Sequence, residues 1–104
     1  MNNLKFAISK VDTATGVKFI LQGHVNSINA EDLEKSLEET IKSEVYDIVL
    51  NMLRVDYLSS AGIKVILKAY KDASRAGGRL GIEGPSENVR NVLGMTALDK
   101  LLIK

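Results

Sequence analysis

The spacing of apolar positions changes along the chain, and those changes lay out its elements. Leu4, Phe6 and Ile8 alternate with Lys5 and Ser9, and Val17, Phe19 and Leu21 alternate with Lys18 and Gln22. A period of two belongs to a strand with one buried face. The intervening Asp12-Thr13-Ala14-Thr15-Gly16 is turn-rich, with Gly16 able to take positive φ, which predicts a hairpin; Gly23 is expected to end the second strand. The period then becomes helical. Leu33, Leu37 and Ile41 share a face, Asn29 is the expected N-cap, and Glu31 and Asp32 suit a first turn. From Val45 to Leu53 only Asn51 interrupts the core run Ile48-Val49-Leu50 and Met52-Leu53, which predicts an interior, parallel-type strand covered on both faces. Asn51 in such a run needs hydrogen-bond partners and is expected to lie near the strand end or a loop that supplies them.

Beyond the next polar break, Ile63, Ile66, Leu67, Tyr70 and Ala73 return to helical spacing, and Gly77-Gly78 stops the helix. Arg79 to Glu83 reads as a short strand with Leu80 and Ile82 inward. Gly84-Pro85 turns the chain, and Ser86 can cap a third helix whose apolar side is Val89, Val92 and Leu93. Leu98 with Leu101-Leu102-Ile103 makes either a short helical turn or a terminal strand. The order β-β-α-β-α-β-α predicts an α/β fold: a mixed β-sheet opened by a hairpin, parallel inside, with helices mainly on one face.

Composition narrows the function. One domain spanning 1–104 is expected from the length, and the absence of cysteine removes disulfides and thiolate metal sites. A net charge of +1 gives no basic surface for general nucleic-acid binding. No apolar run approaches the ~20 residues of a membrane span, and Met1 to Lys5 lacks a secretory pattern. A cytoplasmic protein without membrane insertion is expected.

Chemistry concentrates at Tyr57-Leu58-Ser59-Ser60-Ala61-Gly62-Ile63-Lys64, where the apolar strand meets an amphipathic helix. The first N–H groups of a helix lack partners and its dipole is positive there, so either serine can cap or carry an anionic group. Lys64, Lys68, Lys71 and Arg75 form one stripe along that helix, either a solvated face or the flank of a surface that meets an acidic partner. Nucleophilic catalysis finds one imidazole, His24, and no nucleophile elbow. No ligand spacing for a metal and no phosphate-cradling glycine loop occurs, so no cofactor is expected. A phosphoserine at this helix start, by contrast, would add roughly −1.5 to −2 charges without unfolding the domain.

These residues resemble the STAS domains of bacterial anti-sigma factor antagonists. The resemblance runs through the hairpin, Leu21-Gln22-Gly23, Ile48-Val49-Leu50-Asn51, Ser59-Ser60-Ala61-Gly62-Ile63, Gly77-Gly78-Arg79-Leu80, and Val92-Leu93 to Leu98. The family often has Asp-Ser-Ser/Thr-Gly at the junction, so Ser59 stands at the Asp, Ser60 at the phosphorylated serine, Ala61 at the next position and Gly62 at the Gly. Where many members have Gly-Glu-Leu-Asp after the second strand, this chain has Gly23-His24-Val25-Asn26; both changes remove negative charge near Ser60.

The resemblance implies a partner switch without catalytic residues of its own. The unphosphorylated chain would bind an anti-sigma factor of the GHKL serine-kinase type and release the sigma factor. Phosphorylation at Ser60 would weaken that binding, and a PP2C-type phosphatase would reset it. His24, Asn26, Ser59, Ser60, Ala61, Gly62, Lys64 and Lys68 are the expected docking residues, with Gly62 permitting close backbone approach. A second reading is a constitutive STAS scaffold or accessory subunit of a membrane transport complex; a small serine hydrolase is a third.

Overall fold

The computed structural model describes residues 5–96 and 98–103. Strand β1 (Ala7–Asp12) runs antiparallel to β2 (Val17–Val25), β2 parallel to β3 (Asp47–Leu58), and β3 parallel to β4 (Arg79–Glu83). The sheet order is β1-β2-β3-β4, so each strand lies beside its neighbour in sequence. Helices α1 (Ala30–Lys42) and α2 (Ser60–Arg75) cross between the parallel strands, and α3 (Glu87–Met95) follows β4. A 3-10 turn at Leu98–Leu101 leads into a single parallel bridge between Leu102 and Ile82. The chain's end is therefore both of its expected forms in miniature. Leu4, expected on the first strand, lies outside the described residues. No helix among the described residues is long and apolar enough to cross a membrane.

The hairpin forms where the turn residues predict it, with the Thr13 N–H donating to the Gly16 carbonyl at 2.9 Å. The reason for Gly16 differs from the expected one. Its φ is not positive. Instead a Cβ there would lie 1.9 Å from the Asp47 carbonyl oxygen, so only glycine lets the turn pass the start of β3. Gly77 does take a left-handed φ of 86° just after α2, as a helix C-terminal glycine should.

Val17, Phe19 and Leu21 of β2, Ile48, Leu50 and Met52 of β3, and Leu80 and Ile82 of β4 are buried in one core with Leu33, Leu37, Ile66, Val89 and Leu93 of the helices. All three helices thus cover a single face of the sheet. The expectation that β3 is covered on both faces is corrected: Val49 and Asn51 are half-buried on the other side, and Leu53 is 64 % exposed. Val49, Asn51 and Leu53 carry enough apolar surface to mimic a doubly buried run, because periodicity cannot register a missing layer.

Asn51 lies in mid-strand rather than near the end of β3, and on that open face it finds its partner across the sheet on the last residue of β4. Its Nδ2 donates to Glu83 Oε2 at 2.8 Å, and Lys18 Nζ lies 3.0 Å from the same oxygen. The Asn51 hydrogen bond first, then Lys18, holds the Glu83 carboxyl below its ordinary 4.5. A carboxylate more acidic in the folded chain stabilises it above the unfolded pKa and loses that contribution as pH falls through the folded value. Both side chains are about a third exposed, so water screens the pair and holds its contribution to about 0.5 kcal/mol, a few degrees of Tm. Wild type is therefore expected to melt slightly above Glu83→Gln near neutrality, with the gap closing as pH drops below 4.5. A gap that persists in acid would assign the difference to packing.

Candidate functional site at the carboxyl ends of the parallel strands

Two bulges shape this end of the sheet. Ile20 faces Asn51 but Gln22 faces Arg54, and Gly23 faces Val55 but His24 faces Tyr57. Each shift inserts one extra residue into β3, so its buried positions pass from Ile48, Leu50 and Met52 to Val55 and Leu58. Gly23 sits at the second shift with φ 89°, a conformation glycine reaches without strain. It does not end β2, as its composition suggested; it bends the strand, which continues through His24 to Val25. The Val25 carbonyl then accepts the Ser59 N–H at 2.8 Å. That bond ties the β2–α1 loop to the β3–α2 junction, at the edge where parallel α/β sheets most often bind.

At the junction the two serines divide the work. Ser59, extended at φ −75° and ψ 166°, is the N-cap of α2, and its Oγ accepts the Gly62 N–H at 3.2 Å. Ser60 is the first helical residue, exposed, and its hydroxyl has no hydrogen-bond partner among the described residues. The first turn of α2 contains no acidic side chain, whereas those of α1 and α3 do. The positive end of α2 is therefore uncompensated beside Ser60. Ala61 is half-buried. Gly62 is buried, and a Cβ on it would lie 2.8 Å from Leu58 Cδ1 and from Val25 Cγ1. The close approach it permits is to its own chain.

The two hydroxyls should separate in a simple experiment. Ser59→Ala is expected to destabilise the fold by ~1 kcal/mol through loss of the cap, while Ser60→Ala leaves stability within ~0.5 kcal/mol. Urea titration of both variants measures this, and equal effects would contradict the assigned roles.

The preceding loop departs from the sequence expectation. Asn29 is helical (φ −80°, ψ −9°) and makes no side-chain cap. Asn26 caps instead: its Oδ1 accepts the N–H groups of Ile28 and Asn29, both at 2.9 Å, and its carbonyl accepts that of Ala30 at 3.0 Å. Asn29 braces the loop from the other side, its Oδ1 accepting the Asn26 N–H at 2.8 Å and its Nδ2 donating to the His24 carbonyl at 2.7 Å.

His24 is exposed on the open face. Its Nδ1 lies 2.6 Å from Asp56 Oδ1, an ion pair when the ring is protonated, and its ring stands 5.8 Å from that of Tyr57. The Asp56 oxygen is shielded from water and has no hydrogen-bonding partner of defined geometry. Asp56 lies beyond Leu53, where the apolar run ends; the bulges restore the buried pattern and carry β3 on to Leu58. Lys64 is exposed with no ion pair among the described residues, while Lys68 lies 3.5 Å from Glu38 of α1 and 3.9 Å from Asp72. Part of the basic stripe is therefore balanced within the molecule.

A mixed sheet with a capped serine junction at its carboxyl edge defines the class: the chain belongs to the STAS domain family, whose model matches residues 7–104. Among its relatives is the Bordetella bronchiseptica protein BtrV, provisionally described as an anti-sigma factor antagonist. The two are 36% identical over 89 residues, 86% of this chain and 75% of BtrV. The fold is that of the anti-sigma factor antagonist SpoIIAA. Its unphosphorylated form gives a TM-score of 0.83 at 22% identity, covering 95% of this chain and 86% of that one. The phosphorylated form, described as a Bacillus cell fate determinant, gives 0.77 at 21% identity, with 95% and 89% covered.

Proposed function

We propose that this chain is a cytoplasmic anti-sigma factor antagonist that works by partner switching. Unphosphorylated, it binds an anti-sigma factor that is also a serine kinase of the GHKL type, and the sigma factor is released. The kinase transfers the γ-phosphoryl group of ATP to Ser60 Oγ, with the hydroxyl proton lost and ADP leaving. A PP2C-type phosphatase hydrolyses the phosphoserine and resets the chain. The protein is the substrate in this cycle and contributes no catalytic group.

The observation that carries the reading is the unequal state of the two serines. Ser59 is held by its cap to Gly62, while Ser60 presents a free hydroxyl at the unneutralised start of α2. A phosphate placed there meets backbone N–H groups and a favourable dipole, so the domain keeps its fold when modified. The partner must cover the same surface to reach Oγ, so the added charge acts on docking. His24, Asn26 and Lys64 border that surface, Asn26 by fixing the loop.

The test is the stability of the complex. Mixed with a GHKL-type anti-sigma factor serine kinase from the same organism, the chain is expected to co-elute with it in the presence of ADP and to separate once ATP is added. A complex that survives ATP turnover would contradict the switch.

A further inference from the structure

Ile28 stands at the tip of the β2–α1 loop with 80% of its surface exposed. A lone exposed aliphatic side chain is ordinary on a protein surface, and two observations set this one apart. Its backbone is fixed. The Ile28 N–H is held by Asn26 Oδ1 at 2.9 Å, inside a clamp that Asn29 closes with bonds of 2.8 and 2.7 Å. Its position is the second: the strand feeding this loop is bonded to the junction through Val25 and Ser59. An apolar side chain is thus held ready in solvent on the edge that carries the exposed serine.

We propose that Ile28 is the apolar anchor by which the domain docks on the anti-sigma kinase, burying its side chain against a nonpolar part of the kinase surface. The inference rests on Ser60 being the acceptor, because a kinase that reaches its Oγ must also cover the adjoining loop. The clamp gives the anchor its value. Little conformational freedom remains to be lost in the loop when the complex forms, and contacts of this kind contribute most where the loop is already ordered. Burying an aliphatic side chain of this size changes affinity by about tenfold or more.

The experiment is calorimetric titration of the kinase with the full unphosphorylated chain, as wild type, Ile28→Ser and Met95→Ser, together with the rate of Ser60 phosphorylation at saturating kinase. Ile28→Ser is expected to raise Kd about tenfold or more, with Tm and the saturated phosphorylation rate unchanged. Met95, 85% exposed at the end of α3 away from Ser86, is the control; its replacement should leave Kd within about twofold. A wild-type chain that binds and is phosphorylated on Ser60 while Ile28→Ser binds equally well overturns the anchor alone. Equal weakening by Met95→Ser also overturns it, and a wild-type chain that does not bind the kinase overturns both the anchor and the function.

Discussion

Phosphorylation of Ser60 is expected to raise the Kd for the anti-sigma kinase more than a hundredfold while the domain keeps its fold. The argument is electrostatic. The modification adds roughly −1.5 to −2 charges at an exposed residue whose helix start lacks any acidic neighbour in its first turn. In the free domain, water and the helix end stabilise that charge. In the complex the water must leave, and a differential of ~3 kcal/mol corresponds to more than a hundredfold in affinity. Aspartate carries one charge, so Ser60→Asp should show about half of that differential, roughly tenfold in Kd. Titration of the kinase with both forms gives the two values. Circular dichroism spectra that change on phosphorylation would instead point to unfolding as the cause.

The second large effect lies in the core. Phe19 is buried on β2 opposite Leu50 of β3, on the face that the helices cover. Phe19→Ala is expected to destabilise the domain by about 3–5 kcal/mol, a large share of the roughly 5–15 kcal/mol that holds a domain of this kind together. Its neighbour Ile20 points to the open face, so Ile20→Ala should remain within ~1 kcal/mol of wild type. Chemical denaturation of the two variants compares adjacent positions on one strand, and similar losses would contradict a sheet covered on one face.

Much of this contrast is legible in the chain. Alternation at Val17, Phe19 and Leu21, helical spacing from Ile63 to Ala73, and the glycine stop at Gly77 each depend on nearest-neighbour geometry, which a sequence carries directly. The burial of Val89 and Leu93 behind the Ser86 cap, whose Oγ accepts the Val89 N–H at 3.3 Å, belongs to the same class. What escaped depends on the partner strand. The two bulges in β3 exist only relative to β2, and they change the buried spacing from two to three residues just where the strand appeared to stop. Asp56 lies in the stretch they add.

Two glycines and the loop asparagines were ambiguous for the same physical reason. Gly16 and Gly62 are required by close approach of distant segments, Asp47 in one case and Val25 with Leu58 in the other, and not by φ. Asn26 and Asn29 are both acceptable caps by residue type; only the three-dimensional course of the loop decides that Asn26 holds the two N–H groups. The candidate site was readable as a serine pair at a helix start. The distinction between the tied hydroxyl of Ser59 and the free one of Ser60 required the geometry.

The most direct measurement is to incubate the chain with a GHKL-type anti-sigma factor serine kinase from the same organism and ATP, then locate the phosphate by tandem mass spectrometry. A single phosphate on Ser60, absent from Ser60→Ala and retained in Ser59→Ala, is the predicted result. Phosphate on Ser59, or none on the junction at all, would contradict the account.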